Sequence, residues 1–588
     1  MATLPLEIWR EICLILLHED LRPELLALSR TNRGCYSIAA PFCYRSLTIE
    51  FTTVETLQSI TSQLSNKGLG KPFLAHARSL SLMPIHEEHS LGIRHNGKSI
   101  VQVFNPATNE AFLQPHLTGV PCGGGLSIAD RGGNDSVYRQ QWEPVISLIA
   151  RLRHLEEFNF FIQSGFPSSL RKALSKCHPH CKVKIWSSQP AAYAEPNVQR
   201  WILPTASETH SKACQIDFEI LFWDRLDTFN AEILLTEPPG LVNEMLPFVF
   251  AAPNLKHLIL THTFPLAPSL ALVEFVERKW RDLAAVSPPA GIANLESLTL
   301  SSVYFDDTLF PALATVTDLS CLRSLDISGY MHPDMLADAA KLLKGLERLF
   351  VTVDLPHDED VITAIKTFTP LKFLCLRGHG SAASVLSVLE QHGPSLQGLI
   401  LELVCYRGVF VGRDGERLQR FHHEYPLFNL SQHNEMAGLC PHLQELRLQV
   451  KRPARKTAEL EMYRALGQFS SLRSLVLDLH FQPEGSPIGN VFLNDTVDEN
   501  LARQVWNVIT TSQSSQHLMK LRLAPFGDIY FLDDELYYSH HTRSFLLTRG
   551  GRDGLSVREI GKVTSDILEQ KNRRLLNKEN KSPATSRG

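Results

Sequence analysis

The sequence predicts an α/β protein in which a small N-terminal helical unit leads into a right-handed β/α solenoid with long insertions. Three observations carry this reading. First, one phrase recurs in phase: Leu295-Glu-Ser-Leu298-Thr-Leu300, Leu322-Arg-Ser-Leu325-Asp-Ile327, Leu346-Glu-Arg-Leu349-Phe-Val351, Leu371-Lys-Phe-Leu374-Cys-Leu376 and Leu396-Gln-Gly-Leu399-Ile-Leu401. The first leucines of successive copies lie 27, 24, 25 and 25 residues apart. Second, residues 4–47 lack the phrase and instead space their apolar side chains for short helices. Third, stretches rich in Gly, His, Asn and other polar residues break the array without ending it.

The helical unit comes first. Pro5 suits a helix start, where a missing N–H costs nothing, and Glu7 favours the positive helix N-terminus. Ile8, Ile12 and Leu16 follow at helical spacing, flanked by Trp9 and Cys13. Pro23 opens a second helix carrying Leu25, Leu26 and Leu28, and Asn32 can cap a third that Pro41 should end. Three short helices cannot bury all of their apolar faces, so some of that surface should meet a partner or the next domain.

Leu4-Pro-Leu-Glu-Ile8, Leu25-Leu-Ala-Leu-Ser-Arg30, Asn32-Arg33 and Pro41-Phe-Cys-Tyr-Arg-Ser-Leu47 together resemble an F-box of the fungal type. Trp9 stands where that family more often has a smaller aliphatic residue. The resemblance implies a three-helix F-box domain over residues 1–50 that binds the Skp adaptor of a cullin–RING ubiquitin ligase. Its adaptor face would use Leu4, Pro5, Ile8, Ile12, Leu25 and Leu28. The alternative is that these helices only cap the solenoid.

From 51 to 549 the chain reads as an irregular solenoid. A period of this length with an L-x-x-L-x-L core is the signature of leucine-rich repeats. Each unit offers a strand whose leucines cannot be buried alone, so neighbours must stack. Ala77-Arg-Ser-Leu80-Ser-Leu82 and Leu155-Glu-Glu-Phe158-Asn-Phe160 match the phrase, and Lys182-Val-Lys-Ile-Trp186 and Ile216-Asp-Phe-Glu-Ile220 alternate as strands do. Leu255-Lys-His-Leu258-Ile-Leu260 starts the regular array. Leu443-Gln-Glu-Leu446-Arg-Leu448, Leu472-Arg-Ser-Leu475-Val-Leu477 and Leu518-Met-Lys-Leu521-Arg-Leu523 close it. Insertions are expected at about 83–140, 187–212 and 406–434, and a polar tail over 550–588.

Composition narrows the function classes. Apolar content of 44% with 20% charged residues fits a soluble chain, and a net charge of −4 gives no electrostatic case for nucleic acid or an anionic membrane. No apolar run approaches the roughly 20 residues of a spanning helix. Eleven scattered cysteines, an odd number, fit an intracellular, reducing setting, cytoplasmic or nuclear.

Two motifs invite chemistry. Gly92-Ile-Arg-His-Asn-Gly97-Lys98-Ser99 satisfies the letters of a phosphate-binding loop, but no apolar strand precedes it and no helical pattern follows. Asn96-Gly97 reads better as a hairpin turn. Cys177-His-Pro-His-Cys181 with His210 and Cys214 could supply four zinc ligands, yet His-Pro-x-Cys before an alternating strand equally resembles the turn entering a repeat. Asp354 and Asp478 are ordinary strand-end acids. A nucleophile elbow and a dinucleotide fingerprint are missing. Lys571-Asn-Arg-Arg574 reads as the solvated face of a terminal helix. No catalytic residue, cofactor or metal site is therefore assigned.

The inner face of the repeat sheet is the place for a protein target, because residues between and after the repeat leucines project there. Phe350, Arg377, Glu402, Arg447, Gln449, Asp478 and Arg522 are the candidates, in a row with Thr299, Asp326, Cys375 and Ile400. The resemblance implies the substrate-recognition subunit of a Skp–cullin–F-box ligase, a non-catalytic receptor for an unknown protein. The alternative is a repeat scaffold with no role in ubiquitin transfer.

Overall fold

A computed structural model gives the fold. It describes residues 5–18, 22–51, 54–66, 70–84, 135–161, 166–188, 220, 223–234, 249, 252, 254–263, 294–305, 309–315, 317–331, 333–353, 358–378, 381–402, 426–451, 456–481, 498–511, 517–527, 544–549 and 554–560. Leu4, residues 92–99, His210, Cys214, Asp354 and residues 571–574 lie outside these, as does most of each expected insertion. The described residues form a mixed α/β protein with an open, mostly parallel sheet of 16 strands, ordered in the sheet as in the chain. Among them, no helix is long and apolar enough to cross a membrane.

The chain divides into two compact units. The first begins with α1 (Leu6–His18), α2 (Arg22–Ser29) and α3 (Arg33–Cys43). It continues with β1 (Ser46–Phe51), α4 (Val54–Asn66), α5 (Lys71–His76), β2 (Ser79–Pro84), α6 (Asp135–Arg151), β3 (Glu157–Phe160) and α7 (Ser168–Cys177). Strands β4 (Lys182–Ser188), β5 (Leu226–Leu234), β6 (His257–Thr263) and the start of β7 (Ser297–Phe305) complete it. A short helix α8 (Leu309–Leu313) follows β7. The second unit alternates β8 (Ser324–Met331), α9 (Pro333–Leu342), β9 (Arg348–Thr352), α10 (Asp358–Ile365), β10 (Phe373–Arg377), α11 (Ala382–His392) and β11 (Gly398–Glu402). Then come α12 (Leu430–Leu439), β12 (Glu445–Lys451), α13 (Lys456–Leu466), β13 (Ser474–Phe481), α14 (Glu499–Thr510) and β14 (Lys520–Gly527). Strands β15 (Ser544–Arg549) and β16 (Leu555–Ile560) end it.

Two devices hold neighbouring repeats in register. The second leucine of the phrase forms an unbroken row in the second unit: Leu325, Leu349, Leu374, Leu399, Leu446, Leu475 and Leu521 are successive register partners. None is more than 1% exposed, so a slip by one residue would turn every leucine out of the core. The second device is in the backbone. At many of the strands one carbonyl accepts two N–H groups from the next repeat: Arg323 O from Glu347 and Arg348, Glu347 O from Lys372 and Phe373, Lys372 O from Gln397 and Gly398. The same fork recurs at Arg45, Arg78, Gln397, Gln444 and Arg473. It needs no particular side chain, which explains how irregular repeats stack.

Four expectations change. Pro41 lies inside the last turn of α3, which runs on to Cys43 and is capped by Tyr44 N–H on Ala40 O; the ring removes one hydrogen bond, to Ser37 O, with only two helical residues left after it. Of the strand expected at 216–220 only Ile220 is described, and it sits in a helical turn, while β5 was not expected. Helix α12 takes over the end of the 406–434 insertion, started by a capping box in which Asn429 and Gln432 bond each other's backbone N–H. Finally, the last pairings, β14–β15 and β15–β16, are antiparallel, and β16 lies inside the segment expected to be tail.

Candidate functional site

The three N-terminal helices share one small core of Cys13, Leu25 and Ala39, with Leu16, Leu28, Ile38 and Phe42 packed around it. Asn32 caps α3 by accepting from Cys35 N at 2.8 Å. This core is too small for the apolar residues available. Nine of the thirteen residues of α1 are apolar, and they form two stripes. Cys13 and Leu16 face inward, while Ile8 and Ile15 face solvent at 47% and 53% exposure with Ile12 half-buried between them. Leu6, Leu26 and Tyr36 are exposed as well. Five of the eight exposed large apolar side chains among the described residues therefore lie within the first 36 residues. Of the anticipated adaptor-face residues, Pro5 and Ile8 are exposed and Ile12 and Leu28 are half-buried. Leu25 is 1% exposed and belongs to the core, where it holds the helices together. Sequence reading missed Leu6, Ile15, Leu26 and Tyr36, although Ile8, Ile12 and Ile15 share the spacing of one helix face.

The candidate target residues of the second unit do come together, as two adjacent rows across one face of the sheet. Asp326, Phe350, Cys375, Ile400, Arg447, Val476 and Arg522 form the first row. Thr352, Arg377 and Glu402 are partners in the second, as are Gln449 and Asp478. The side chain of Glu402 lies outside the described residues. The face expected to hold a target is largely buried: Arg377, Arg447, Gln449 and Asp478 are 1–6% exposed, while Phe350 and Arg522 are half-buried. Its charges are paired across strands. The Arg377 guanidinium passes 5.9 Å from the Phe350 ring centre and forks onto Asp326, at 2.7 and 3.4 Å. It thereby ties β8, β9 and β10. Arg447 Nε donates to Asp478 Oδ2 at 2.9 Å, joining β12 to β13. Such pairs staple neighbouring repeats and leave these two arginines committed within the fold.

A second polar network lies on the strands of the first unit. Trp186 Nε1 donates to Asn159 Oδ1 at 3.0 Å, and Asn159 Nδ2 donates to Glu157 Oε1 at 2.8 Å. Burial opposes ionisation of Glu157, but Lys184 at 2.7 Å and the Asn159 and Ser79 hydrogen bonds hold its carboxyl below the usual carboxylate range. Phe161 stacks on Trp186 at 5.7 Å. At the turn before β4, His178 Nε2 bonds Ile149 O at 2.8 Å and Cys181 N donates to His178 O at 3.0 Å. Burial pushes the Cys181 thiol up to about 12, and His210 and Cys214, which a zinc site would also need, lie outside the described residues. His178 and Cys181 thus serve the turn into the strand. No group of three or more His, Cys, Asp or Glu converges to hold a metal among the described residues.

No protein-family model and no curated protein matches the chain.

Proposed function

We propose that this chain is the substrate-recognition subunit of a Skp–cullin–F-box ubiquitin ligase, with its N-terminal helices docking on the Skp adaptor and its repeats holding a target protein. The observation that carries the reading is the outward stripe of Ile8, Ile12 and Ile15 with Leu6 and Leu26 close by in sequence. A helix that only capped a solenoid would present one apolar side, inward; α1 has two. Clustered exposed apolar side chains mark interaction surfaces. The residues that resemble an F-box supply the partner class. In this role the chain contributes proximity and orientation, bringing target lysines to a charged conjugating enzyme, and no chemistry of its own.

The test is co-purification of the full chain with a Skp adaptor, wild type against an Ile8→Ala/Ile15→Ala double variant. Both residues are exposed, so truncation leaves the helical core of Cys13, Leu25 and Ala39 in place. If they form the centre of the interface, each should contribute about 1–2 kcal/mol or more, and the pair should weaken binding at least tenfold. Stoichiometric wild-type binding that survives the double variant would move the interface elsewhere. Failure of well-folded wild type to bind any Skp adaptor would leave a repeat scaffold outside ubiquitin transfer.

A further inference from the structure

A cleft of about 760 Å³ in the first unit runs across the N-terminal ends of the first four strands. Its floor is one register row: Ser46, Ser79, Glu157 and Lys182, from β1 to β4. The opposite wall is apolar and comes from the helices, through Leu17, Leu26, Phe42 and Phe73. The ring of Tyr44 meets Phe73 edge-on at 5.0 Å and fixes that corner.

The two walls differ in charge as well as polarity. Arg78 is paired with Glu156 at 2.6 Å, Glu157 with Lys184 at 2.7 Å, and Lys182 stands 3.4 Å from Asp227. Arg45 lines the same cleft with no acidic partner among the described residues, and His180 is exposed beside it. The carboxylates of the cleft are thus already engaged, and an unneutralised guanidinium remains at the floor.

We propose that this cleft binds an extended peptide segment in which apolar residues alternate with an acidic one. Four strands about 4.8 Å apart make a floor about 14 Å long, which at about 3.3 Å per residue accommodates roughly four to five residues. An extended peptide sends successive side chains to opposite sides. One set would enter the apolar wall between Leu26 and Phe73, and the other would reach the strand ends, where a carboxylate meets Arg45 in forked geometry. The volume is within the range of built ligand sites. A small amphiphile would use the apolar wall but has no need of a four-strand floor. The cleft shares Leu25 and Leu26 with the helical unit, but neither Ile8 nor Ile15 lines it, so the Ile8→Ala/Ile15→Ala variant should leave peptide binding unchanged and separates the two readings.

The test uses the full-length chain and two peptides labelled with fluorescein on the N-terminal amine, fluorescein-Gly-Leu-Glu-Leu-Glu-Leu-amide and its counterpart with lysine in place of glutamate, followed by fluorescence anisotropy. The acidic peptide should saturate and the lysine peptide should bind at least tenfold more weakly. Arg45→Glu, at an exposed position, should weaken the acidic peptide at least tenfold without changing the melting curve. Leu26→Asp should weaken both peptides. No saturation by the acidic peptide up to about 1 mM, equal binding of the two peptides, or indifference to Arg45→Glu would overturn the proposal. Saturable dodecanoate binding with none by peptide would overturn it in favour of a small amphiphile.

Discussion

Asp478 and Arg447 offer the sharpest test of what the buried rows contribute. Their side chains are 1% and 3% exposed, joined at 2.9 Å between neighbouring strands. At this separation two charges attract by roughly 6 kcal/mol at an effective dielectric near 20, and each loses several kcal/mol of hydration on burial. The pair as a whole is therefore close to neutral for stability, while half of it is not. Asp478→Ala keeps a buried guanidinium without this carboxylate and should destabilise the β12–β13 region by about 3–5 kcal/mol. Arg447→Met/Asp478→Leu removes both charges at similar volume and should return to within about 1–2 kcal/mol of wild type. The internal control is Glu499→Ala, which breaks the exposed pair with Arg503 (55% and 44% exposed) one helical turn away; it should cost no more than about 0.5 kcal/mol. Because stacked repeats unfold in parts, the measurement is amide hydrogen exchange at β12 and β13, read beside urea denaturation. A cost for Asp478→Ala no larger than that of Glu499→Ala would refute the reasoning. So would a double variant as damaged as the single one.

Three further expectations follow from local geometry. His433 on α12 is 1% exposed, and burial lowers its pKa to about 4. The unfolded chain then binds the extra proton between about 4 and 6.5, so stability should rise with pH across that window by up to roughly 3 kcal/mol and be fully present above it; His433→Leu should flatten this part of a denaturation profile. Gly393 lies against the end of α12, where an added Cβ would stand 2.5 Å from Leu439 O. Gly393→Ala should cost about 1–3 kcal/mol, seen as a lower urea midpoint with faster exchange in α12. Asn429→Ala removes the side-chain cap of α12 and should cost about 1 kcal/mol, localised to that helix by hydrogen exchange, with Asn429→Ser restoring most of it.

The repeat strands were legible because their signal is redundant: seven leucines in the second unit occupy one row, and each predicts the next by spacing alone. The N-cap of α3 was legible for the same kind of local reason, since Asn32 needs only the N–H three residues on. Helix α12 could have been found as well. Asn429-Leu-Ser-Gln432 is a capping-box pattern, but it was masked by the polar composition of the residues before it. Strand β5 was missed because Leu226-Asp-Thr-Phe229 sets two polar residues side by side between its apolar ones and so breaks the alternation.

The rows opposite the leucines show a different limit. Period-two alternation correctly puts Arg377, Arg447, Gln449 and Asp478 on one face, yet alternation says nothing about whether that face is wet. Their burial depends on partners far apart in sequence: Asp326 lies 51 residues from Arg377, and Asp478 lies 31 from Arg447. Only the stacked sheet brings them within hydrogen-bond reach. The consequence for function is directional. An arginine held by a buried carboxylate is a poor first choice for recognising a partner, because capturing a new anion means breaking a pair whose loss costs several kcal/mol. Surfaces that carry no such commitment are better placed. Among the described residues they include the outward stripe of α1 and the cleft at Arg45, both within the first unit, where apolar side chains and a cation without an acidic partner remain exposed.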